Sequence, residues 1–302
     1  MLLNVNKINI HNLKIKPILK WAGGKSALLK QLLPLFPNQF NRYFEPFLGG
    51  GAVFFAIHIN DKKSYLNDAN KELIDFYEVV RDEPQALMKQ LDYFTKNYSE
   101  EFYYELRTSF SKTKIMRAAR TLFLNKTGFN GLYRQNAKGE FNVPFGKRLK
   151  CPALYEIENF LLAAKALQTA QLFSADFEEI INMAGKDDFI YCDPPYEPLS
   201  KTSNFNAYQA NGFSQDQQRR LKEACLRAQK RGAFVIISNS SAEFIKELYK
   251  DCELKFLAAK RVINSKGDKR GEINEVVVIL PALSGSNLPI SSYEPFVTSE
   301  FR

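Results

Sequence analysis

The sequence predicts an α/β fold in which a doubly wound sheet carries an inserted helical region. Short apolar runs typical of buried strands alternate with amphipathic helical patterns along most of the chain, as expected for a sheet with helices on its faces. Between about residues 83 and 168 no buried strand is apparent, and helical patterns dominate. Near the start, a strand leads into a glycine-rich loop and then a helix, which is the arrangement of the first turn in a doubly wound sheet.

Each element follows from its local pattern of apolar residues. Short runs rich in β-branched and aromatic residues are predicted as strands. The predicted strands cover residues 42–45, 63–67, 189–192, 233–238, 254–258 and 275–280. Segments whose apolar residues recur three or four positions apart are predicted as helices. The predicted helices cover residues 26–35, 52–59, 69–80, 214–231 and 241–249.

The chain is therefore divided into a sheet domain and an insertion. We assign residues 1–80 and 165–282 to the sheet domain, and residues 81–164 to the inserted domain. Within the insertion, a loop punctuated by Gly, Asn and Pro occupies residues 128–150. Residues 283–302 are rich in Ser and Pro and are predicted to form a loosely held tail.

Positive charge is concentrated in the insertion. The formal net charge of the 302 residues is +9, and residues 111–150 contain ten Lys or Arg against the single acid Glu140, which leaves +9 in this segment alone. Aromatic side chains that could stack on bases interleave with these charges. They are Phe123, Phe129, Tyr133, Phe141 and Phe145. A basic run by itself is compatible with a solvated surface, whereas the aromatic interleaving favours nucleic acid as the partner.

Other features of the composition exclude several classes of protein. No apolar run approaches the roughly 18 residues of a membrane helix, and the N-terminus lacks a cleavable signal pattern, so we expect a cytoplasmic protein without membrane contact. The four cysteines are widely separated and only two histidines are present, so neither a metal site nor a disulfide framework is expected. The oligomeric state is left open, with a monomer favoured.

The first motif is a pair of glycines followed by Lys25 and Ser26. A phosphate-binding loop would require a glycine at position 19, where this chain has Leu19, so that interpretation fails. A glycine turn at the start of the predicted helix remains. Its free N–H groups suit an anionic ligand group, although a plain loop-to-helix turn has the same sequence pattern.

The second motif is the glycine loop at residues 49–51, which follows a predicted strand. Glycines at this place in a doubly wound sheet let the backbone approach a nucleotide-like cofactor closely. Asp68 follows the next strand and is placed to accept hydrogen bonds from ribose hydroxyls, or alternatively to cap the following helix. Strand, glycine loop, helix and acid in this order favour a nucleoside cofactor.

The third motif, Asp193-Pro194-Pro195-Tyr196, carries the chemistry. An apolar strand ends in an acid, and the prolines that follow stiffen the turn and lack N–H donors. The Asp193 carboxylate and the Pro194 carbonyl would accept the protons of an amino group on a flat ring, and Tyr196 would provide a stacking surface. Such a tetrapeptide alone can also be an ordinary turn after a strand.

Taken in this chain order, residues 20–26, 44–51, Asp68 and 193–196 resemble the Dam-type, D12 class (group alpha) DNA adenine-N6 methyltransferases over about residues 16–280. The resemblance implies a Rossmann-like methyltransferase fold with a mixed sheet and an inserted target-recognition domain. It implies that Asp193, Pro194 and Tyr196 hold a flipped adenine. It also implies an S-adenosylmethionine site lined by Trp21, Lys25, Phe47, Gly49, Asp68, Asp176 and Phe177. Residues 204–214 are similar to the loop that follows the catalytic motif in this family.

A closer resemblance concerns residues 124–134 and 141–146, which look like the target-recognition hairpin of the members that read GATC. In that subgroup the arginine matching Arg134 reads a guanine from the hairpin tip, the lysine matching Lys20 helps to read the first guanine, and the aromatic residue matching Phe129 wedges into the base stack. The wedge is commonly tyrosine, so Phe129 keeps the ring and lacks the hydroxyl. The DNA-contacting set implied by this likeness is Lys20, Phe129, Asn130, Leu132, Arg134 and Pro144.

The sequence thus predicts transfer of the methyl of S-adenosylmethionine to adenine N6 in duplex DNA containing GATC, without metal. Two alternatives remain open: an N4-cytosine methyltransferase, which uses similar chemistry, and a non-catalytic DNA-binding protein on a methyltransferase scaffold. A C5-cytosine enzyme would need a nucleophilic cysteine after a proline, and Cys151 precedes its proline. Whether a partner restriction enzyme exists is not indicated.

Overall fold

A computed structural model describes residues 15–57, 62–109, 112–136, 140–199, 213–259 and 273–283. Within these residues, seven strands form one mixed sheet. They are β1 (Tyr43–Glu45), β2 (Ser64–Asn67), β3 (Ala170–Phe173), β4 (Phe189–Cys192), β5 (Phe234–Ser240), β6 (Glu253–Ala259) and β7 (Ile273–Leu280). Their order across the sheet is β3-β2-β1-β4-β5-β7-β6. The first five are parallel, and β7 runs antiparallel between β5 and β6.

Ten α-helices cover the faces of the sheet and build the insertion, counted over the same residues. They are α1 (Leu29–Leu32), α2 (Ala52–Ile57), α3 (Lys71–Asp82), α4 (Pro84–Lys96), α5 (Glu100–Thr108), α6 (Lys114–Thr127), α7 (Ile157–Leu167), α8 (Phe177–Asn182), α9 (Gln215–Lys230) and α10 (Glu243–Leu248). None of these helices combines the length and apolar character that crossing a bilayer requires. All four cysteines are free thiols.

The sheet is buried on both faces, which follows from its alternating side-chain directions. Successive residues of a strand point to opposite sides. In β4, Phe189 and Tyr191 therefore join one hydrophobic core, while Ile190 and Cys192 join the other. All four are fully buried, as expected for a parallel strand covered by helices on both faces.

The inserted helices share a core with the sheet instead of forming a separate one. One continuous cluster joins Leu66 of β2 to Phe94 of α4, Phe123 of α6 and Phe160 of α7. Helix α6 also hydrogen-bonds back to α3, because Thr121 donates to Glu72 at 2.8 Å. The position of the insertion is therefore fixed relative to the sheet.

The six predicted strands are confirmed, with bounds shifted by at most two residues, and β3 is an element that the pattern did not predict. Strand β3 is short and lies at the sheet edge, where Gln171 is exposed and only Ala170 is buried. A half-exposed edge strand of four residues lacks the apolar run that identifies the others. The helical character predicted between residues 83 and 168 is confirmed by α4 to α7.

The helix predicted over residues 26–35 is wrong as a continuous element. The segment consists of a 3₁₀ turn at Lys25–Ala27, the single turn α1, and a second 3₁₀ turn at Leu33–Leu35. Pro34 lacks an N–H donor and disfavours a longer α-helix here. Residues 58–59 of the second predicted helix and residues 284–302 of the predicted tail lie outside the described residues.

Candidate active site

A single cleft of about 870 Å³ brings together the residues predicted from separate motifs. It lies beyond the carboxyl ends of β1, β2 and β4, where strand order reverses and doubly wound sheets bind ligands. All seven residues predicted for the cofactor and all three predicted for catalysis line it, and so does Arg134. The other predicted DNA contacts (Lys20, Phe129, Asn130, Leu132 and Pro144) are not among the lining residues of this cleft.

The glycine loop is held by the acid that follows β2. Gly49 donates its N–H to Asp68 Oδ2 at 2.9 Å, and Asn70 donates its N–H to Oδ1 at 2.9 Å. Gly49 has φ +49°, and a Cβ there would lie 2.8 Å from the Trp21 ring, so only glycine fits. The alternative in which Asp68 caps the next helix is wrong, because Asn70 occupies the N-cap of α3 and accepts from Leu73. Burial raises the pKa of Asp68, and the two backbone donors oppose that shift.

Three aromatic rings form a wall at the far side of the cleft. Phe47 and Phe177 lie 5.4 Å apart between ring centroids, and Phe213 packs edge-on to Phe47 at 5.6 Å. Asp176 caps α8 by accepting from Glu178, and it forms an ion pair with Arg220. The pairing with Arg220 was not evident from the sequence, since α8 and α9 are brought together only by the fold.

Lys25 joins the glycine turn to Asp193. Its ammonium lies 2.7 Å from Asp193 Oδ2 and donates to the Gly23 carbonyl at 2.6 Å. Lys25 is only 2% exposed and the Asp193 side chain is 19% exposed, so the cation of this ion pair is buried and the acid is partly buried. The glycine turn therefore contributes a fixed cation to the site. The long helix whose N-terminus was expected to face an anionic group is not formed in this described segment.

The second carboxylate oxygen of Asp193 has no hydrogen-bond partner among the described residues. Asp193 Oδ1 is buried, and no described group donates a hydrogen bond to it. Burial raises the pKa of Asp193, while the charge and hydrogen bond of Lys25 lower it. A buried acceptor without a donor costs on the order of 1–3 kcal/mol, and such atoms are rare outside functional sites.

The tyrosine of the tetrapeptide lies beside this acid. Tyr196 Oη donates to Glu275 Oε2 at 2.6 Å, and the Lys25 ammonium lies 4.7 Å from the centre of its ring. The loop backbone is also held, because Gln218 Nε2 donates to the Pro195 carbonyl at 3.0 Å. Sequence patterns assigned neither Gln218 nor Glu275 to the site.

A second buried acid, Glu45, lies at the end of β1 and lines the cleft. Tyr43 Oη donates to its Oε2 at 2.7 Å. Burial raises the pKa of Glu45 to about 8, with a smaller upward contribution from Asp193, while the Tyr43 hydrogen bond and Lys25 act in the opposite direction. The protonated form of Glu45 is therefore favoured in the folded protein at neutral pH.

This shift predicts a pH-dependent loss of stability that Glu45→Gln removes. Because the pKa is raised on folding, the contribution of Glu45 to stability is fully present below its ordinary value of 4.5 and is lost as pH rises towards about 8. Glutamine resembles the neutral acid at every pH. The free energy of unfolding of the variant, relative to the unsubstituted protein, should therefore increase over this window by up to roughly 5 kcal/mol.

Denaturant unfolding of both proteins at pH 5 and above pH 8 measures the difference. Parallel pH profiles for the two proteins would show that Glu45 is ionised in the fold and held in that state by Lys25.

The two described arms of the predicted hairpin, residues 128–136 and 140–145, pair with each other. Gly128 pairs with Phe145, Gln135 pairs with Phe141, and Phe129 N–H donates to the Pro144 carbonyl at 2.9 Å. Phe129 is 51% exposed, so its ring is accessible, as a wedge would require.

The remaining residues predicted to contact DNA surround Phe129. Asn130 has φ +54°, Leu132 is half-buried, and Lys20 is exposed with its stem packed against Gly131. Arg134 lies on the first arm of the hairpin, and not at the tip as predicted, because its carbonyl accepts from Asn142 N–H and the pair Asn136–Glu140 lies beyond it.

The aromatic residues of the basic segment do not all offer stacking surfaces, contrary to the prediction. Phe123, Phe141 and Phe145 are buried in the hydrophobic core. Tyr133 stacks on Trp21 with ring centroids 4.9 Å apart, and its hydroxyl donates to Glu72. The alternation of charge and aromaticity reflects core packing at three of the five positions. The Tyr133–Trp21 stack also joins the hairpin to the segment that leads into the glycine turn before Lys25.

The basic residues of this segment also divide into two groups, one paired with acids of the protein and one exposed to solvent. Lys114 pairs with Glu78, and Arg120 pairs with Glu72, so these two cations are engaged within the protein. Lys147, Arg148 and Lys150 are exposed at the end of the hairpin, next to the fully exposed Leu149.

The order of the sheet, the cleft at its switch point and the acid that ends β4 together define a Rossmann-like methyltransferase. The chain belongs to the D12 class of N6 adenine-specific DNA methyltransferases, because residues 21–263 match the model of that family. The protein is thus an adenine-specific DNA methyltransferase.

Relatives of almost the same length support this assignment. The chain is similar to the type II methyltransferase M1.LlaDCHI of Lactococcus lactis subsp. cremoris, with 39% identity over 92% of this chain and 98% of the relative. It is 38% identical to the type II methyltransferase M.MjaIII of Methanocaldococcus jannaschii, over 88% of this chain and 99% of the relative. It is also 37% identical to a DNA adenine methylase of Vibrio cholerae, over 90% of this chain and 98% of that protein.

Proposed function

We propose that this enzyme uses S-adenosylmethionine to methylate adenine N6 within GATC in duplex DNA, with Asp193, Pro194 and Tyr196 as the residues that receive the adenine. The observation that carries this proposal is the buried, unpartnered Oδ1 of Asp193. An amino group of a flipped base would supply the donor that this oxygen lacks.

The residues of the cleft fit S-adenosylmethionine. Asp68 retains a lone pair on each oxygen for ribose hydroxyls, the packed rings of Phe47 and Phe177 offer an apolar surface for an adenine, and Lys25 is placed for a carboxylate. Gly49 and Trp21 complete the floor, and Asp176 lies at the rim where it can accept from an exocyclic amine. When bound, S-adenosylmethionine supplies an electrophilic methyl on a positively charged sulfur.

The residues of the tetrapeptide prepare the nucleophile. The lone pair of adenine N6 is delocalised into the ring and is a poor nucleophile. Hydrogen bonds from the two N6 protons to Asp193 Oδ1 and the Pro194 carbonyl would localise that pair on nitrogen. Stacking on Tyr196 would contribute about 1–3 kcal/mol, comparable with the few kcal/mol required to extrude a base. No covalent enzyme intermediate is required, because positioning and electrostatics lower the barrier.

Recognition of GATC is assigned to residues 81–164 together with Lys20. The exposed Phe129 would wedge into the base stack, Arg134 would read a guanine, and Lys20 would help to read the first guanine. Asn130, Leu132 and Pro144 would contact the DNA around the wedge. Membership of an N6 adenine-specific family argues against the N4-cytosine alternative and against a non-catalytic DNA-binding protein.

The experiment that tests the proposal is methylation of plasmid DNA by the purified enzyme with S-adenosylmethionine. Nucleoside analysis of the digested product should give N6-methyladenine, and sequencing of modified bases should place it in GATC. N4-methylcytosine would contradict the adenine assignment. N6-methyladenine in another sequence would retain the chemistry and contradict the GATC assignment.

A separate prediction concerns the DNA-facing charges. Binding to non-target duplex should weaken with salt with a log-log slope of about −0.9 for each phosphate neutralised. The double variant Lys147→Ala, Arg148→Ala removes two exposed cations and should flatten this slope by up to about 1.8. Lys114→Ala is the matched control, because Lys114 belongs to the same basic segment but pairs with Glu78 at 3.1 Å. Equal flattening by both variants would mean that the DNA surface extends to α6.

A further inference from the structure

The hydroxyl of Tyr196 is held by a residue from a distant strand. Tyr196 follows β4, and its Oη donates to Glu275 Oε2 at 2.6 Å. Glu275 lies in β7, where it is opposite Ser240 of β5 on one side and Leu257 of β6 on the other. Because β7 is paired along both edges at this point, the backbone of Glu275 is fixed relative to the loop that carries Tyr196.

The loop backbone is held independently of this contact. Gln218 Nε2 donates to the Pro195 carbonyl, Glu197 N–H donates to Asn239 Oδ1 at 3.1 Å, and Ser240 Oγ donates to the Glu197 carbonyl at 2.6 Å. Gln218 and Asn239 are fully buried and hydrogen-bond to each other at 3.1 Å. These contacts fix the chain on both sides of Tyr196, but they leave its side-chain torsions unrestrained. The bond to Glu275 anchors Oη and so restrains the χ1 torsion, which sets where the ring lies.

Glu275 lies close enough to the tetrapeptide to act on its charges. Glu275 adds to the upward shift in the pKa of Asp193, as expected for two carboxylates that share one partly buried region. Burial, followed by the charge of Asp193, holds the pKa of Tyr196 well above its usual value. The phenol therefore stays protonated and keeps the proton that it donates to Glu275.

We propose that Glu275 is a positioning residue for methyl transfer, which fixes where the Tyr196 ring lies and therefore where the target adenine stacks. This inference rests on the proposed role of Tyr196 as the stacking surface. Without its acceptor, the ring would sample other orientations, and fewer extruded bases would reach the productive geometry. The loss should therefore appear in kcat and in base extrusion, and the KM for S-adenosylmethionine should not change.

A double-mutant cycle tests the proposal. Glu275→Ala should lower kcat on target duplex by about tenfold, the effect of one hydrogen bond to a charged group at the low end of its range. Glu275→Gln, whose amide oxygen still accepts a hydrogen bond, should recover most of this loss. Tyr196→Phe removes the same hydrogen bond from the other side, so adding Glu275→Ala to Tyr196→Phe should cause little further loss.

Base extrusion is read with 2-aminopurine at the target adenine, whose fluorescence rises when the base leaves the stack. Its amplitude should fall in Glu275→Ala and recover in Glu275→Gln. Thermal unfolding of each variant shows whether the proteins compared are equally folded. If Glu275→Ala is unstable, the comparison rests on Glu275→Gln, which keeps the side-chain volume.

Additive losses in the two backgrounds, or an effect confined to the KM for S-adenosylmethionine, would overturn the inference. Failure of the proposed function is distinguished from this by nucleoside analysis with the unsubstituted enzyme. If that enzyme produces N6-methyladenine and the cycle is additive, only the role of Glu275 is wrong. If it produces no N6-methyladenine, the proposed function is wrong.

Discussion

Replacing Asp193 is expected to reduce kcat by at least about 10²- to 10³-fold, the usual effect of removing one group that stabilises the reacting centre. Oδ1 of Asp193 is the buried acceptor that N6 would bind, and the Pro194 carbonyl cannot take both protons. Two variants are informative. Asp193→Ala removes both oxygens, whereas Asp193→Asn keeps the shape and replaces one acceptor with an NH₂ donor.

The contact with Lys25 determines how these variants should be compared. Oδ2 of Asp193 pairs with the buried Lys25 ammonium at 2.7 Å, and removing one partner of a buried pair leaves a charge without compensation. Asp193→Ala should therefore lower stability as well as activity. Single-turnover rates, measured on the folded fraction, separate the chemical step from this loss.

Asp188→Asn is the matched control, because Asp188 and Asp193 lie at opposite ends of β4. Asp188 is 1% exposed and pairs with Arg42 at 2.6 Å, far from the cleft. Its replacement should lower the free energy of unfolding by a few kcal/mol and leave kcat unchanged in the folded protein. Calorimetry should show that Asp193→Asn still binds S-adenosylmethionine. Turnover retained by Asp193→Asn and Asp193→Ala would remove Asp193 from the mechanism.

The central part of this site could be predicted because its residues follow strands in short, local motifs. The glycine loop after β1, Asp68 after β2 and the tetrapeptide after β4 each occur next to an apolar run, and parallel strands bring their carboxyl ends to the same edge of the sheet. Strand β4 is a continuous apolar run, and β1 and β2 each contain two adjacent apolar residues, a pattern that predicts short buried strands.

Residues that act through tertiary contacts could not be predicted in this way. Glu275 is a single acid at the start of the apolar run of β7, and Gln218 is one of several polar residues in α9. Their roles depend on which strand lies next to β5 and which face of α9 meets the loop. The ion pair between Lys25 and Asp193 likewise joins two motifs that are distant in the chain.

In the insertion, the composition correctly indicated exposed cations but wrongly indicated that all the aromatic side chains are available for stacking. Helices α4 to α7 pack around aromatic residues, so Phe123 and Phe145 are core residues although they lie among cations in the chain. Because this basic segment also packs against the sheet domain, most of its aromatic side chains turn inward and its cations stay at the surface. Phe123 and Phe145 differ from Phe129 in solvent exposure, and the exposure of a side chain depends on the fold and cannot be read from the composition of the segment.

The geometry of Arg134 specifies how its role in sequence recognition should be tested. Its Nε donates to Asn142 Oδ1 at 2.7 Å across the two arms of the hairpin, so the guanidinium is already oriented. It also lines the cleft in which Asp193 lies. A pre-oriented guanidinium can present its remaining donors to guanine O6 and N7, and such a pair contributes about 1–3 kcal/mol of discrimination against the wrong base.

Arg134→Ala should therefore lower kcat/KM on GATC duplex by about 5- to 150-fold and change activity on a duplex altered at the read guanine far less. Arg134→Lys should recover little of the discrimination, because an ammonium cannot donate the paired hydrogen bonds of the guanidinium. Arg148→Ala is the control for a phosphate contact: it should weaken binding to both duplexes equally and reduce the salt slope by about 0.9. If Arg134→Ala behaves like Arg148→Ala, with a uniform loss on both duplexes and a shallower salt slope, then Arg134 holds the DNA backbone and another residue reads the guanine.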